Sequence, residues 1–171
     1  VDGKMKIIEV DENDNVIGLR EKEDFYTGNY GHRSVHLILF NTKNEILIHK
    51  RTSTKRWYPN LFTYAVSGTV DNESYEKGMQ REIIEEIGLK LEPTFSFKYP
   101  FFAKEDKAIH AIFTAKSDKE LKIDSREIAC IKWIKPEDLQ EELKTHPELF
   151  TPPFREGMQL FLDKYHNSRS S

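Results

Sequence analysis

The sequence predicts an α+β fold in which a mixed sheet is layered with helices, and three observations carry that expectation. Strand-like apolar runs outnumber helical ones, they do not alternate with helices as a regular βαβ chain would, and a central and a C-terminal segment switch to helical period. At 171 residues the chain suffices for one well-packed core, so residues 1–171 are read as a single domain.

Residues 6–10 and 16–19 flank the turn-forming Asp11, Asn13, Asp14 and Asn15, so the chain opens with a hairpin inside an N-terminal extension over residues 1–33. The polar stretch 20–30 reads as a short helix or loop. Residues 34–40 and 45–49 are strands joined as a second hairpin, and 61–66 is one further strand. From Ser74 to Ile87 the period changes. Tyr75, Met79, Ile83 and Ile87 recur every four residues as one apolar stripe, and Gly88 supplies the stop. Residues 94–103, 108–115 and 128–134 are strands, and 136–143 is a short helix begun by Pro136. Phe154, Met158, Phe161, Leu162 and Tyr165 stand at helical spacing, giving a C-terminal amphipathic helix, with residues 168–171 expected to fray.

Charged residues at 32% and a net charge of −3 lack the basic excess of a protein that binds nucleic acid polymers. No apolar run nears the ~18 residues that a membrane span needs, and no secretory pattern opens the chain, so a cytoplasmic protein with no membrane partner is expected. Cys130 is the single cysteine, which excludes an internal disulfide; its apolar neighbours place it in the core. Residues 1–4, ahead of Met5, read as an addition carried over from expression.

The stretch 67–89 holds six carboxylates and one arginine between Gly68 and Gly88. At about 100° per residue, Glu82, Glu85 and Glu86 fall within an arc of roughly 100° on one helix face. Carboxylates this close raise one another's pKa unless a cation compensates, and a cluster of oxygen ligands suits a hard divalent ion such as Mg²⁺. An ordinary solvated face, with Arg81 pairing Glu85 across one turn, is the competing reading. The spacing decides between them: Gly68, Glu73, seven residues, then Arg81, Glu82, an aliphatic residue, one more residue, Glu85, Glu86, one more residue, Gly88 and an aliphatic residue.

This segment resembles the Nudix box, the signature of the Nudix hydrolase superfamily, and matches it at every position from Glu73 to Leu89. One departure lies in the loop, where four residues rather than five separate Gly68 from Glu73; another is Gly78, where the family usually has alanine. The resemblance implies an α/β/α sandwich with a mixed central sheet, an N-terminal hairpin and a C-terminal helix. It implies Glu82, Glu85 and Glu86 as metal ligands, with the Gly68 carbonyl as a further one. By the same resemblance Glu82 is a further ligand or the base that activates water, Arg81 orients the carboxylates, and Glu73 assists from the helix start. The implied reaction is Mg²⁺-dependent cleavage of a diphosphate linkage in a nucleoside diphosphate derivative or similar small molecule, with Mn²⁺ an alternative cofactor.

Upstream segments 10–18, 31–41 and 51–63 resemble isopentenyl diphosphate isomerase, a Nudix-fold enzyme. On that match its catalytic cysteine falls on Ser67, one metal-ligand histidine on Thr69 and another on Phe25; His32 alone survives clearly. The intact acidic helix therefore favours hydrolysis over isomerisation, and a non-catalytic diphosphate-binding module is a third reading. Arg51 and Lys55, on the basic loop that faces the diphosphate in that family, are the candidate phosphate contacts. Glu105, Asp106, Asp124 and Glu127 are candidates for an acidic ligand outside the box. His32 and His36 receive no role, and a homodimer is left open.

Overall fold

The structure, a computed structural model, describes residues 5–170; the expectation for residues 1–4 lies outside them. Strands β1 (Lys6–Val10) and β2 (Val16–Glu21) form the expected hairpin, turned by Asp11, whose Oδ1 accepts from the amides of Asn13 and Asn15 at 2.9 and 3.0 Å. A 3₁₀ helix at Lys22–Thr27 follows. Next come β3 (His32–Phe40), β4 (Ile46–Arg51), β5 (Phe62–Thr63), β6 (Val66–Thr69) and helix α1 (Tyr75–Ile87). Strands β7 (Thr94–Phe102), β8 (Lys107–Lys116) and β9 (Ile128–Ile134) precede α2 (Pro136–Thr145) and α3 (Pro152–Arg169).

Seven of these strands make one mixed sheet in the order β5-β4-β3-β8-β7, with β6 also on β3 and β9 also on β4. The β3–β8 pair is parallel, from His32 opposite Ala108 to Phe40 opposite Lys116; the other pairs are antiparallel. Alternation along β3 sorts the two layers. Val35, Leu37 and Leu39 pack with Met79, Ile83 and Ile87 of α1, while Ile38 packs on the other face with Leu139 of α2 and Phe154, Met158 and Leu162 of α3. Each fully buried aliphatic of this kind contributes roughly 1.5–3 kcal/mol. This is the α/β/α sandwich with a hairpin before it and a helix after it.

Helix α1 forms as its sequence dictates. The Ser74 side chain accepts from the Lys77 amide at its start, the stripe Met79, Ile83 and Ile87 is buried, and Gly88 ends it at φ 69°. Four local expectations are corrected. The stretch 61–66 is two strands broken at Tyr64 and Ala65, because β5 pairs with β4 whereas β6 crosses to β3. The β3–β4 hairpin pairs only at Phe40 and Ile46, since β6 occupies the same edge of β3 from Ser34 to Leu37. Cys130 is exposed rather than core, as are its neighbours from Ala129 to Lys132, because β9 pairs with β4 alone at the sheet edge. Helix α3 runs through Ser168 to Arg169, with the hydroxyls of Ser168 and Ser170 bonded back to the carbonyls of Tyr165 and His166. Among the described residues no helix is long and apolar enough to cross a membrane.

The hairpin is fastened to the sandwich by Asp14. Its carboxylate accepts from Arg33 Nε at 2.7 Å, the Tyr75 hydroxyl at 2.9 Å and Lys98 Nζ at 2.6 Å, joining the β1–β2 turn to β3, α1 and β7.

Candidate active site

The β3–β6 ladder carries Ser67 and Gly68 to the inner side of α1. Gly68 gives Glu82 its seat: a Cβ there would overlap the Glu82 side chain, which would have to shift. One residue earlier, the Ser67 amide donates to Glu86 Oε1 at 3.3 Å. The strand end thus meets two of the helix carboxylates along its backbone.

Arg81 organises the rest. Its Nε and Nη2 donate to Glu73 at 3.1 and 2.5 Å, Nη1 to Glu82 at 2.8 Å, and Nη2 also to the Thr69 carbonyl at 3.1 Å. Looser contacts of 3.5 Å reach Glu85 and Asp71. The arginine therefore ties the helix start, the helix middle and the short loop into one unit. The three helix carboxylates do not meet at a point, however. Glu82 turns toward Arg81, Glu85 stands half-exposed, and Glu86 is buried at 5% exposure. Among the described residues no three His, Cys, Asp or Glu side chains stand as a ready metal-ligand set.

Electrostatics mark the same two carboxylates. Burial pushes Glu82 from 4.5 up to about 7, with Arg81 opposing and Glu85 and Glu127 adding to the rise. Burial raises Glu86 well above the usual carboxylate range, and Glu82 and Glu127 push the same way.

Across from α1, Arg51 ends β4. Burial works against its charge, while Glu86, Glu127 and Asp106 favour it, and its Nε donates to the Trp57 carbonyl at 3.0 Å. Lys55 is ion-paired with Glu127. Of the four acidic candidates outside the helix, Glu127 is the one whose charge acts on both Glu82 and Glu86. Asp106 accepts from the Tyr58 hydroxyl at 2.7 Å, Asp124 chelates Arg126, and Glu105 offers its carbonyl to Trp57 Nε1 at 3.0 Å. Segment 52–61 is consequently strapped to the turn before β8, and Tyr58 in it adopts φ 54°, a backbone state that a bulky side chain seldom takes.

Sequence reasoning missed one group here. The His36 and His110 rings stack at 4.9 Å and are joined by a 2.7 Å hydrogen bond, with His36 also bonded to Ser67 Oγ at 2.8 Å. Only the parallel register of β3 and β8 brings them together, and nothing in the local sequence announces that register. His32 lies at the start of the same face, edge-on to Phe25.

An acidic helix seated under a glycine-bearing strand end in an α/β/α sandwich places the protein among the hydrolases acting on phosphorus-containing anhydrides. The chain belongs to the Nudix family, whose NUDIX domain matches residues 31–154. It is 41% identical over 156 residues to a protein of Methanosarcina mazei named prenyl-diphosphate phosphatase, covering 89% of this chain and 92% of that one. It is 28% identical over 159 residues to isopentenyl-diphosphate Delta-isomerase 1 of Photorhabdus laumondii, covering 87% and 90%. Among solved structures, DR0079 of Deinococcus radiodurans shares the fold at a TM-score of 0.75 and 22% identity, covering 90% of this chain and 97% of that one. The branch is thus one that resembles the isomerase.

Proposed function

We propose that this chain, acting as one domain, is a Mg²⁺-dependent hydrolase of a small organic diphosphate, with a prenyl diphosphate as the favoured substrate class. The observation that carries the reading is the pair Glu82 and Glu86. Glu86 is buried and Glu82 largely covered at the end of β6, and both have a raised proton affinity that a divalent cation would reverse. The 41% identity to the Methanosarcina protein supports the prenyl class; a nucleoside diphosphate derivative is the other class to be tried.

The residues fit a hard cation in donor type, since every candidate ligand is an oxygen. Glu85, Glu86 and the Gly68 carbonyl would hold it, with Glu82 either a further ligand, on turning from Arg81, or the base, and Mn²⁺ would fit the same donors. Bound there, such an ion neutralises phosphate charge and lowers the pKa of water. The chain's own residues supply the rest. Where Glu82 stays on Arg81 instead of binding the ion, its carboxylate is suited to accept a proton from the attacking water. Arg81 and Glu73 fix the direction of the Glu82 side chain. Arg51 and Lys55 would take diphosphate oxygens, with Lys55 exchanging its Glu127 partner for the substrate.

Hydrolysis is favoured over isomerisation because Ser67 and Thr69 cannot replace the proton-exchanging cysteine and the histidine of that enzyme. The test is a panel of prenyl and nucleoside diphosphates followed by phosphorus NMR in ¹⁸O-enriched water, with and without Mg²⁺. Metal-dependent appearance of ¹⁸O in a phosphate product is expected. Binding without turnover would leave only a binding module, and deuterium uptake into isopentenyl diphosphate would reinstate the isomerase.

A further inference from the structure

The chain Ser67, His36, His110 can hold its protons in two registers. In one, His110 Nδ1–H donates to His36 Nε2 and His36 Nδ1–H donates to Ser67 Oγ. In the other, the Ser67 hydroxyl donates to His36 Nδ1 and His36 Nε2–H donates to His110 Nδ1. The two differ at their ends. The first leaves a bare lone pair on His110 Nε2 and a free hydroxyl proton on Ser67; the second leaves an N–H on His110 Nε2 and a lone pair on Ser67.

The far end decides between them. His110 Nε2 is buried and, among the described residues, has no hydrogen-bond partner, while the ring is stacked on Tyr99 at 5.2 Å and met edge-on by Phe101. Orphaned buried N–H donors are rarer in proteins than under-satisfied acceptors, so the register that puts the lone pair at Nε2 is preferred. Both rings must be neutral for the chain to exist in this form. Burial, with the neighbouring histidines and Arg51, holds His36 well below its ordinary pKa, and burial, reinforced by His32, lowers His110 to about 3. Ser67 Oγ makes its one hydrogen bond among the described residues to His36, and the residue is partly exposed.

We infer that Ser67 is a substrate-binding donor whose hydroxyl proton the His36–His110 pair holds free for an oxygen of the diphosphate. His36 and His110 are positioning residues in this arrangement; they touch no substrate and act by fixing which end of the chain carries the proton. The ligand chemistry follows from location. The Ser67 amide donates to Glu86, the next residue, Gly68, abuts Glu82, and the charge of Arg51 acts on both His36 and Glu86. The hydroxyl therefore borders the space in which an incoming group rich in acceptors and free of donors, such as a diphosphate, would use a hydroxyl donor. This rests on the diphosphate reading of the site.

Two measurements test it on the intact protein. Side-chain ¹⁵N NMR of the metal-free protein should show His36 and His110 both protonated at Nδ1; an Nε2–H tautomer at either would overturn the inference. Calorimetry with Mg²⁺ and methylenediphosphonate, a diphosphate that is not hydrolysed, should show Ser67→Ala binding about tenfold more weakly than wild type, the loss of one charge-assisted hydrogen bond. Ser67→Thr should restore the affinity. His110→Asn, whose amide N–H replaces Nδ1–H, should bind like wild type, whereas His110→Leu should bind like Ser67→Ala. Equal affinity of wild type and Ser67→Ala would overturn the role of the hydroxyl. Both readouts stand whether or not any diphosphate is turned over, so a failure of the proposed hydrolysis is separable from a failure here.

Discussion

Raising the pH of the metal-free protein through neutrality should cost it stability at Glu82. That side chain is 12% exposed, and burial, only partly offset by Arg81, lifts its pKa from 4.5 to about 7. A carboxyl whose folded pKa lies above its unfolded one binds more protons when folded. Its stabilising share is complete below 4.5 and is lost as the pH climbs through about 7. At about 1.4 kcal/mol per pH unit the interval is worth roughly 3 kcal/mol, or a fall of roughly 6–12 °C in Tm for a chain of this length. The buried histidines act in the opposite direction. His36, His49 and His110 have lowered folded pKa values, so their share is present above 6.5 and lost as the pH falls. The assay is therefore a difference: Tm of wild type minus Tm of Glu82→Gln, from about pH 4.5 to 7.5, in which the histidine contributions cancel. The difference should drop by roughly 6–12 °C without divalent ions and by much less with saturating Mg²⁺, which favours the carboxylate. Parallel curves for the two proteins in the absence of metal would refute the reasoning.

Three further outcomes are expected. Gly68→Ala forces Glu82 off its seat and should lower stability by about 1–3 kcal/mol in urea unfolding, with a matching loss of Mg²⁺ affinity; an unchanged midpoint would show that the side chain moves freely. Asp14→Ala removes three partners from a side chain that is 6% exposed and should cost about 2–4 kcal/mol, while the remaining folded protein keeps its turnover; urea midpoints and rates per folded molecule check both parts. Arg51→Ala should raise KM for a diphosphate by about tenfold to a hundredfold with a smaller change in kcat, as read from steady-state kinetics.

The acidic helix was legible because several local rules agree on it. Ser74 caps it, the apolar stripe has its period, Gly88 ends it, and Arg81 reaches Glu73 across the intervening turns as the spacing implies. Legibility failed where the structure depends on which strand pairs with which. The split of 61–66, the divergence of β3 from β4 and the exposure of Cys130 all follow from edge choices made far away in sequence. The site shows the same division. Glu82, Glu86, Arg81, Glu73 and Gly68 lie on one continuous segment and could be named from it, but the meeting of His36 with His110 needs the parallel β3–β8 register. The electrostatic approach of Glu127 to Glu82 likewise depends on where β9 docks. In the structure Arg81 draws Glu82 closely and Glu85 loosely, while Glu86 lies buried against the Ser67 amide, an arrangement that depends on packing and not on helical spacing alone.

The most direct test of the central claim is the rate of diphosphate cleavage measured against Mg²⁺ concentration for wild type and Glu86→Gln. The account predicts a wild-type rate that is negligible without metal and saturates with it. The variant keeps the shape of a side chain whose burial already favours its neutral form, so it should stay folded while kcat falls by at least about a hundredfold, the scale of losing a group that acts on the transition state. Turnover that ignores Mg²⁺, or a Glu86→Gln enzyme as fast as wild type, would contradict it.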